Sequence, residues 1–263
     1  MEELKKNLGG KVQALNPSAE VAEIVEVANP SLKSESGFVA LTTNAVEIIG
    51  ENLKNQQLNH SLFDVIKSPS GGATSFSVPS LSGEDSEKEI TGIILDYTTP
   101  RAYWTTPEPA EGTPPECYSR DSVISSEGER CLTCVHNSFG SKDGDSNAKA
   151  CKESVELLVL RPDSIMPVIV RVPVSSKAAF LKYATRLVGK LVPIHGVITK
   201  ITLAKAVSKG GQPYATYNFE MVRQLSADEA VRAKAYANGF KEIMQSDDVV
   251  HAPPNSDDTK EAA

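Results

Sequence analysis

No run of eighteen or more apolar residues occurs in the 263-residue chain, which excludes a membrane-spanning helix. The start, MEELKKNLGG, lacks the apolar stretch of a secretory signal, so a cytoplasmic location is expected. Cysteine is scarce: four residues cannot staple a chain of this length, and a reducing compartment leaves their thiolates free for metal. Histidine also numbers four, at His60, His136, His195 and His251, and none begins the His-x-Glu of zinc deaminases. No Gly-x-Ser-x-Gly elbow is present. Gly189-Lys190 resembles the end of a phosphate loop, but Ala184 stands where its first glycine belongs and Leu191 where a hydroxyl residue belongs. An enzyme is therefore not expected.

What the chain does have is enough apolar material for a core, 40% of residues, with 23% charged. The net charge of −7 hides a contrast along the chain. Residues 157–219 carry nine basic side chains, Arg161, Arg171, Lys177, Lys182, Arg186, Lys190, Lys200, Lys205 and Lys209, against the single acid Asp163. Residues 1–156 and the last 17 residues are acidic. A basic block inside an acidic protein suggests a surface that meets a polyanion, while the same pattern also arises when lysines merely solvate exposed faces.

Periodicity predicts a mainly β protein with peripheral helices, of the α+β class. Residues 1–59 read as an arm broken at Asn16-Pro17 and Asn29-Pro30, followed by an amphipathic helix from Thr43 to Leu58. Strands are predicted at Leu62 to Ile66, Thr74 to Val78 and Glu89 to Tyr97, with the polar Ser82 to Ser86 stretch as a turn. Residues 98–152 form a Pro-, Gly-, Ser- and acid-rich insert with no apolar period, and a loop of that length needs its own staple. Strand patterns return at Val155 to Leu160 and Val168 to Val174. A helix capped by Ser175 or Ser176 then runs to Val188, and two long strands follow, Leu191 to Ala206 and Tyr214 to Gln224. Ser226 and Glu229 make a capping box that opens a C-terminal helix across 226–246, and residues 247–263 form an acidic tail.

All four cysteines lie in the insert, spaced Cys117-x13-Cys131-x2-Cys134-x16-Cys151. A Cys-x2-Cys pair presents two thiolates to one ion from a tight knuckle, and two further cysteines complete the tetrahedral shell of structural zinc. Metal binding would supply the folding free energy that burial in this segment cannot, on the order of 10 kcal/mol. A redox pair at Cys131 and Cys134 would instead require a thioredoxin-like βαβ setting, which the sequence lacks. His136 is a reserve ligand, although its place two residues beyond Cys134 strains simultaneous ligation.

Single-strand binding needs cations for the backbone and flat side chains on which bases stack. Candidate stacking residues are Tyr103, Trp104 and Phe139. Candidate phosphate contacts are Arg101, Arg171, Lys177, Lys182, Lys200, Lys205 and Lys209. Tyr217 and Phe219 share a strand face with Ala215 and Met221 and read as core.

The segment Cys117 to Lys152, with Cys131-Leu-Thr-Cys134, Asn137-Ser138-Phe139-Gly140-Ser141 and Ala150-Cys151-Lys152, resembles the phage-type single-stranded DNA-binding proteins of the T-even helix-destabilising kind. In these a zinc subdomain is inserted into an OB-fold. The likeness extends over about residues 60–225. It implies an OB-like barrel, a groove for single-stranded DNA between barrel and zinc subdomain, and an acidic tail that recruits replication or recombination proteins. Self-association through residues 1–59 is a further expectation from the likeness. The T-even protein uses one histidine and three cysteines where this chain offers four cysteines. The alternative from another class is a zinc-stapled structural or scaffold module that binds protein or duplex DNA.

Overall fold

The computed structural model describes residues 37–244 except 42–45, 55, 57, 68, 107–112, 143–147 and 209. The expected arm across residues 1–35, the acidic tail at 247–263 and Lys209 lie outside the described residues. Among the described residues there are three α-helices: α1 (Val46–Leu53), α2 (Val174–Val188) and α3 (Ala227–Met244). The strands are β1 (Val65–Ile66), β2 (Phe76–Ser80), β3 (Gly83–Glu87), β4 (Glu89–Thr98), β5 (Arg101–Tyr103), β6 (Cys117–Ser119), β7 (Lys152–Glu153), β8 (Val155–Leu160), β9 (Val168–Val172), β10 (Val197–Val207) and β11 (Pro213–Gln224).

Six strands form one sheet in the order β1-β9-β8-β4-β10-β11, antiparallel except for the short β1/β9 pair. The sheet is open. The expected barrel is therefore corrected, and the reason lies in the strands themselves. A closed barrel buries one face and reads as alternation, but Val155-Glu-Leu-Leu-Val-Leu160 and Val168-Ile-Val-Arg-Val172 are buried at every position. One face, with Ile93, Leu158, Leu160 and Ile169, packs beneath Ala233, Tyr236, Phe240 and Met244 of α3. The other, with Ile94, Leu157, Val159 and Val170, packs beneath Phe180 of α2 and Phe76 and Val78 of the β2/β3 hairpin.

β3 consists of Gly-Glu-Asp-Ser-Glu, mostly exposed, where a turn is expected from its composition. It pairs only with β2, and its charges blunt a free edge. In β4, Gly92 passes so close to β8 that an added Cβ would overlap the Leu160 carbonyl and lie 2.6 Å from Val159 Cγ1. The helix expected from Ser175 begins at Val174 after Pro173, and Ser176 does not cap it. Its buried hydroxyl instead accepts a hydrogen bond of 2.9 Å from Tyr217 N–H, joining α2 to β11.

The capping box at α3 forms as the spacing predicts: Glu229 N–H donates to Ser226 Oγ at 3.3 Å and Ser226 N–H donates to Glu229 Oε2 at 2.8 Å. Arg223 adds two hydrogen bonds of 3.0 Å to the same carboxylate. The Arg223 hydrogen bonds are the largest influence holding the Glu229 carboxyl down to about 2, against an ordinary 4.5. A depressed carboxyl stabilises the fold above its unfolded value and loses that contribution as pH falls through the folded one. The stability difference between the protein and a Glu229→Gln variant is therefore expected to be full above about pH 5 and to shrink between about pH 4.5 and 2. Thermal unfolding of both proteins across that range would show it, and a difference independent of pH would contradict the assignment.

Candidate functional site

The stretch 99–154, between β4 and β8, contributes a separate three-stranded sheet in the order β6-β5-β7. β5 is its centre, with Tyr103 opposite Cys117 on β6 and Ala102 opposite Lys152 on β7, one residue past Cys151. Two short 3-10 turns, Cys131–Thr133 and Val135–Asn137, form the Cys-x2-Cys knuckle, with Cys134 N–H donating to the Cys131 carbonyl at 3.4 Å. Cys151 N–H donates to the His136 carbonyl at 2.8 Å, and Cys131 N–H to the Val123 carbonyl at 3.0 Å. These bonds draw three separated stretches of chain to one place.

Cys117, Cys131, Cys134 and Cys151 all line a single cavity of about 280 Å³, together with Tyr103, Glu129, His136 and Asn137. None of the four forms a disulfide. Burial pushes the Cys151 thiol up to about 12; the adjacent Arg101 guanidinium pulls the other way, and the Cys131 and Cys134 thiols push it further up. Among the described residues no three His, Cys, Asp or Glu side chains stand close enough to hold a metal ion. The structure therefore gathers the four thiols around one space without setting them at ligating distance. The donor set, four thiols and no disulfide, is the one that suits zinc.

Asn137 is the hub of the support. Its side-chain oxygen accepts from Arg101 and from Lys149 Nζ at 3.0 Å, and its amide donates to the Cys131 carbonyl at 2.7 Å. Arg101 also donates to Glu153 at 2.7 Å, and Glu153 is in turn paired with Lys177 of α2. This series of contacts ties the knuckle to the first turn of α2. Neither Asn137 nor Glu153 is marked by spacing in the sequence as a support.

The sequence-derived nucleic-acid candidates separate into two groups. Arg101 and Arg171 are buried, Arg101 on Glu153 and Arg171 on Glu156 at 2.6 Å. Lys177 pairs with Glu153, and Lys200 with Glu220 at 3.0 Å. Trp104 is only 8% exposed, packs with Ala102 and Tyr118, and donates its indole N–H to the Thr113 carbonyl at 2.9 Å. Tyr103 stacks on His136, centroids 3.9 Å apart, so the reserve ligand has an aromatic partner. Phe139 projects outward, 76% exposed, with Lys149 Nζ 4.5 Å from its ring centroid. Lys182 and Lys205 are exposed, as are Arg186 and Lys190, and no described carboxylate pairs with any of the four. Arg186 and Lys190 stand in the basic block but not among the candidate contacts drawn from it, and Lys149 stands outside the block.

No helix among the described residues is long and apolar enough to cross a membrane. Comparison with protein families, with characterised proteins and with solved structures finds no match to the chain.

Proposed function

We propose that the protein is a non-enzymatic single-stranded DNA-binding protein, serving replication or recombination of the phage type, whose insert is organised by one structural zinc ion. The observation that carries this reading is the ion pair between Lys177 of α2 and Glu153 of the insert. It ties the insert, which carries an exposed aromatic ring with its own cation, Phe139 and Lys149, to the first turn of α2, whose outer cations have no carboxylate partner among the described residues. Bases stack on Phe139, each such stack being worth about 1–3 kcal/mol, and phosphates lie along Lys182, Arg186, Lys190 and Lys205. Zinc, held by Cys117, Cys131, Cys134 and Cys151, would supply cohesion to a segment with little apolar core of its own. Arg101 and Trp104 support the insert from inside instead of touching the strand, and Arg171 is enclosed in the main sheet with Glu156. The acidic tail at 247–263 is the proposed attachment point for replication or recombination proteins.

The test is titration of fluorescently labelled single-stranded and duplex oligonucleotides, read by anisotropy at several salt concentrations. Because Trp104 is enclosed, its emission is a poor reporter and the label belongs on the DNA. Four phosphate contacts give an expected slope of log affinity on log salt of roughly −3 for single strands. Phe139→Ala is expected to weaken binding by about 1–3 kcal/mol without changing that slope. Equal affinity for duplex and single strand, or affinity indifferent to salt, would overturn the proposal. Capture of protein in place of DNA through exposed Leu132 and Val135 would favour the scaffold alternative.

A further inference from the structure

α2 ends on a conformation that few side chains accept. Val192 N–H donates to the Leu187 carbonyl at 3.0 Å and Leu191 N–H to the Val188 carbonyl at 2.9 Å, the pair of bonds that closes a helix in a Schellman turn. The turn residue is left-handed and usually glycine, because a Cβ is strained there. Here it is Leu191, with φ +57°. Val192 lies with Leu187 in the buried cluster beneath the helix and secures the reversal, which does not need the leucine. The other described non-glycine residues with positive φ are Lys54 and Ser122. Ser122 has an internal reason for its strain: its hydroxyl donates to the Thr99 carbonyl at 2.6 Å and accepts from Arg101 Nε at 3.3 Å. Leu191 is 93% exposed and gains no such contact.

A strained, solvent-facing leucine costs stability twice, once in backbone conformation and once in apolar surface left in water. Its surroundings indicate what it meets. Val188, one turn back, is also exposed, and Lys182, Arg186 and Lys190 stand around the same end of the helix. α2 contains no acidic residue, and no described carboxylate pairs with these three cations. A second copy of this surface would set like charges together. The ligand that fits is anionic along a line and apolar beside it, which is the character of a nucleic-acid strand with its bases unpaired. The negative end of the helix macrodipole disfavours a phosphate directly over the turn, which leaves that place for a base.

We propose that Leu191, backed by Val188, is an apolar wedge against the bases of the bound single strand, while Lys182, Arg186 and Lys190 hold the flanking phosphates. The inference rests on the DNA reading above and adds to it a second place of base contact. Lys177, which is tied to the insert, and Lys190 are separated by about 20 Å of helix, so Leu191 meets the strand at the end of α2 away from Phe139. Leucine inserted beside a base parts it from its neighbour, which suits a strand already free of its complement.

Leu191→Gly in the full-length protein separates fold from contact, because glycine fits the left-handed turn better than leucine does. The thermal midpoint is expected to rise by about 2 °C while affinity for a labelled single-stranded oligonucleotide falls about fivefold, the loss of burying roughly half a leucine side chain. The dependence on salt should not change, since no charge is altered. Leu191→Phe should bind at least as tightly as the parent. An abasic oligonucleotide of equal length keeps the phosphates without the bases, and parent and Leu191→Gly should bind it alike. Equal affinity of the two proteins for the normal strand would overturn the inference, assign the leucine to a protein partner and leave the DNA reading standing. Equal weakening toward normal and abasic strands would show Leu191 acting only through the cations, and a lowered midpoint would contradict the strain; either result overturns it. A parent protein with no salt-dependent affinity for single strands would remove the DNA reading and this inference with it.

Discussion

Cys134→Ser is expected to abolish the proposed zinc binding and unfold the insert while leaving the six-stranded sheet intact. A structural zinc site contributes about 10 kcal/mol or more, and removing one of four thiolates forfeits most of it. The insert has little to set against that loss: among its described residues the buried apolar cluster is Ala102 and Trp104, with Tyr118 packed beside them. The main sheet has its own cores on both faces and does not draw on the insert for burial. Metal analysis should fall from about one zinc per chain to almost none. Limited proteolysis should cut first within residues 117–151, far-ultraviolet circular dichroism should keep its β signal, and affinity for single strands should drop at least about tenfold. A zinc-free variant whose insert resists protease as well as the parent would refute the structural role of the metal.

The second large effect is expected at Glu156. This carboxylate is 1% exposed and accepts from Arg171 Nε at 2.9 Å, from Arg171 Nη2 at 2.6 Å and from His60 Nε2 at 3.0 Å. Burial raises its proton affinity, and the Arg171 charge together with the His60 hydrogen bond outweighs it, so the carboxyl stays below its ordinary range. Glu156→Ala leaves the Arg171 guanidinium buried without its counter-ion, and breaking a buried pair from one side costs about 3–5 kcal/mol. The triple replacement His60→Leu, Glu156→Leu and Arg171→Met removes the whole cluster and is expected to be close to neutral, because no charge is left stranded. Urea unfolding of the two variants would give midpoints far apart. Near-equal midpoints would show that the cluster is not the buried ionic network its geometry implies.

That cluster also explains why charge along the sequence was a poor guide to the surface. Of the nine cations between residues 157 and 219, four meet acids drawn from elsewhere in the chain: Arg161 with Glu87, Arg171 with Glu156, Lys177 with Glu153 and Lys200 with Glu220. Strand pairing makes two of those encounters, Arg171 with Glu156 and Lys200 with Glu220, and packing between elements makes the other two, and a block count sees neither. Apolar periodicity served better where burial was decisive. β8 spans Val155–Leu160 as its pattern predicts, α2 and α3 start within two residues of their sequence signals, and Tyr217 is core. β3 was hidden because an exposed hairpin strand needs no apolar face. The barrel expectation came from a resemblance carried by the insert, and the insert's motifs hold no information about how the strands outside it close. Within the insert the four cysteines line one cavity without coming to ligating distance, whereas Asn137 and Glu153, which hold the knuckle in place, are ordinary polar residues until the backbone brings them together.

The pairing of β4 with β8 sets the order in which the chain can assemble. Thr98 lies opposite Glu156, so residues 99–155 form the loop that must close before the centre of the sheet exists. Closing a long loop costs more entropy than closing a short one, by about 2 kcal/mol for a difference of this size. If the insert folds first it bears that cost through its own contacts, because Arg101 pairs with Glu153 across β5 and β7 and brings the two ends of the loop side by side. The cysteine segment is thus placed to act as a clasp for the nascent sheet, and the rate at which the insert folds would set how quickly the whole chain reaches its native topology.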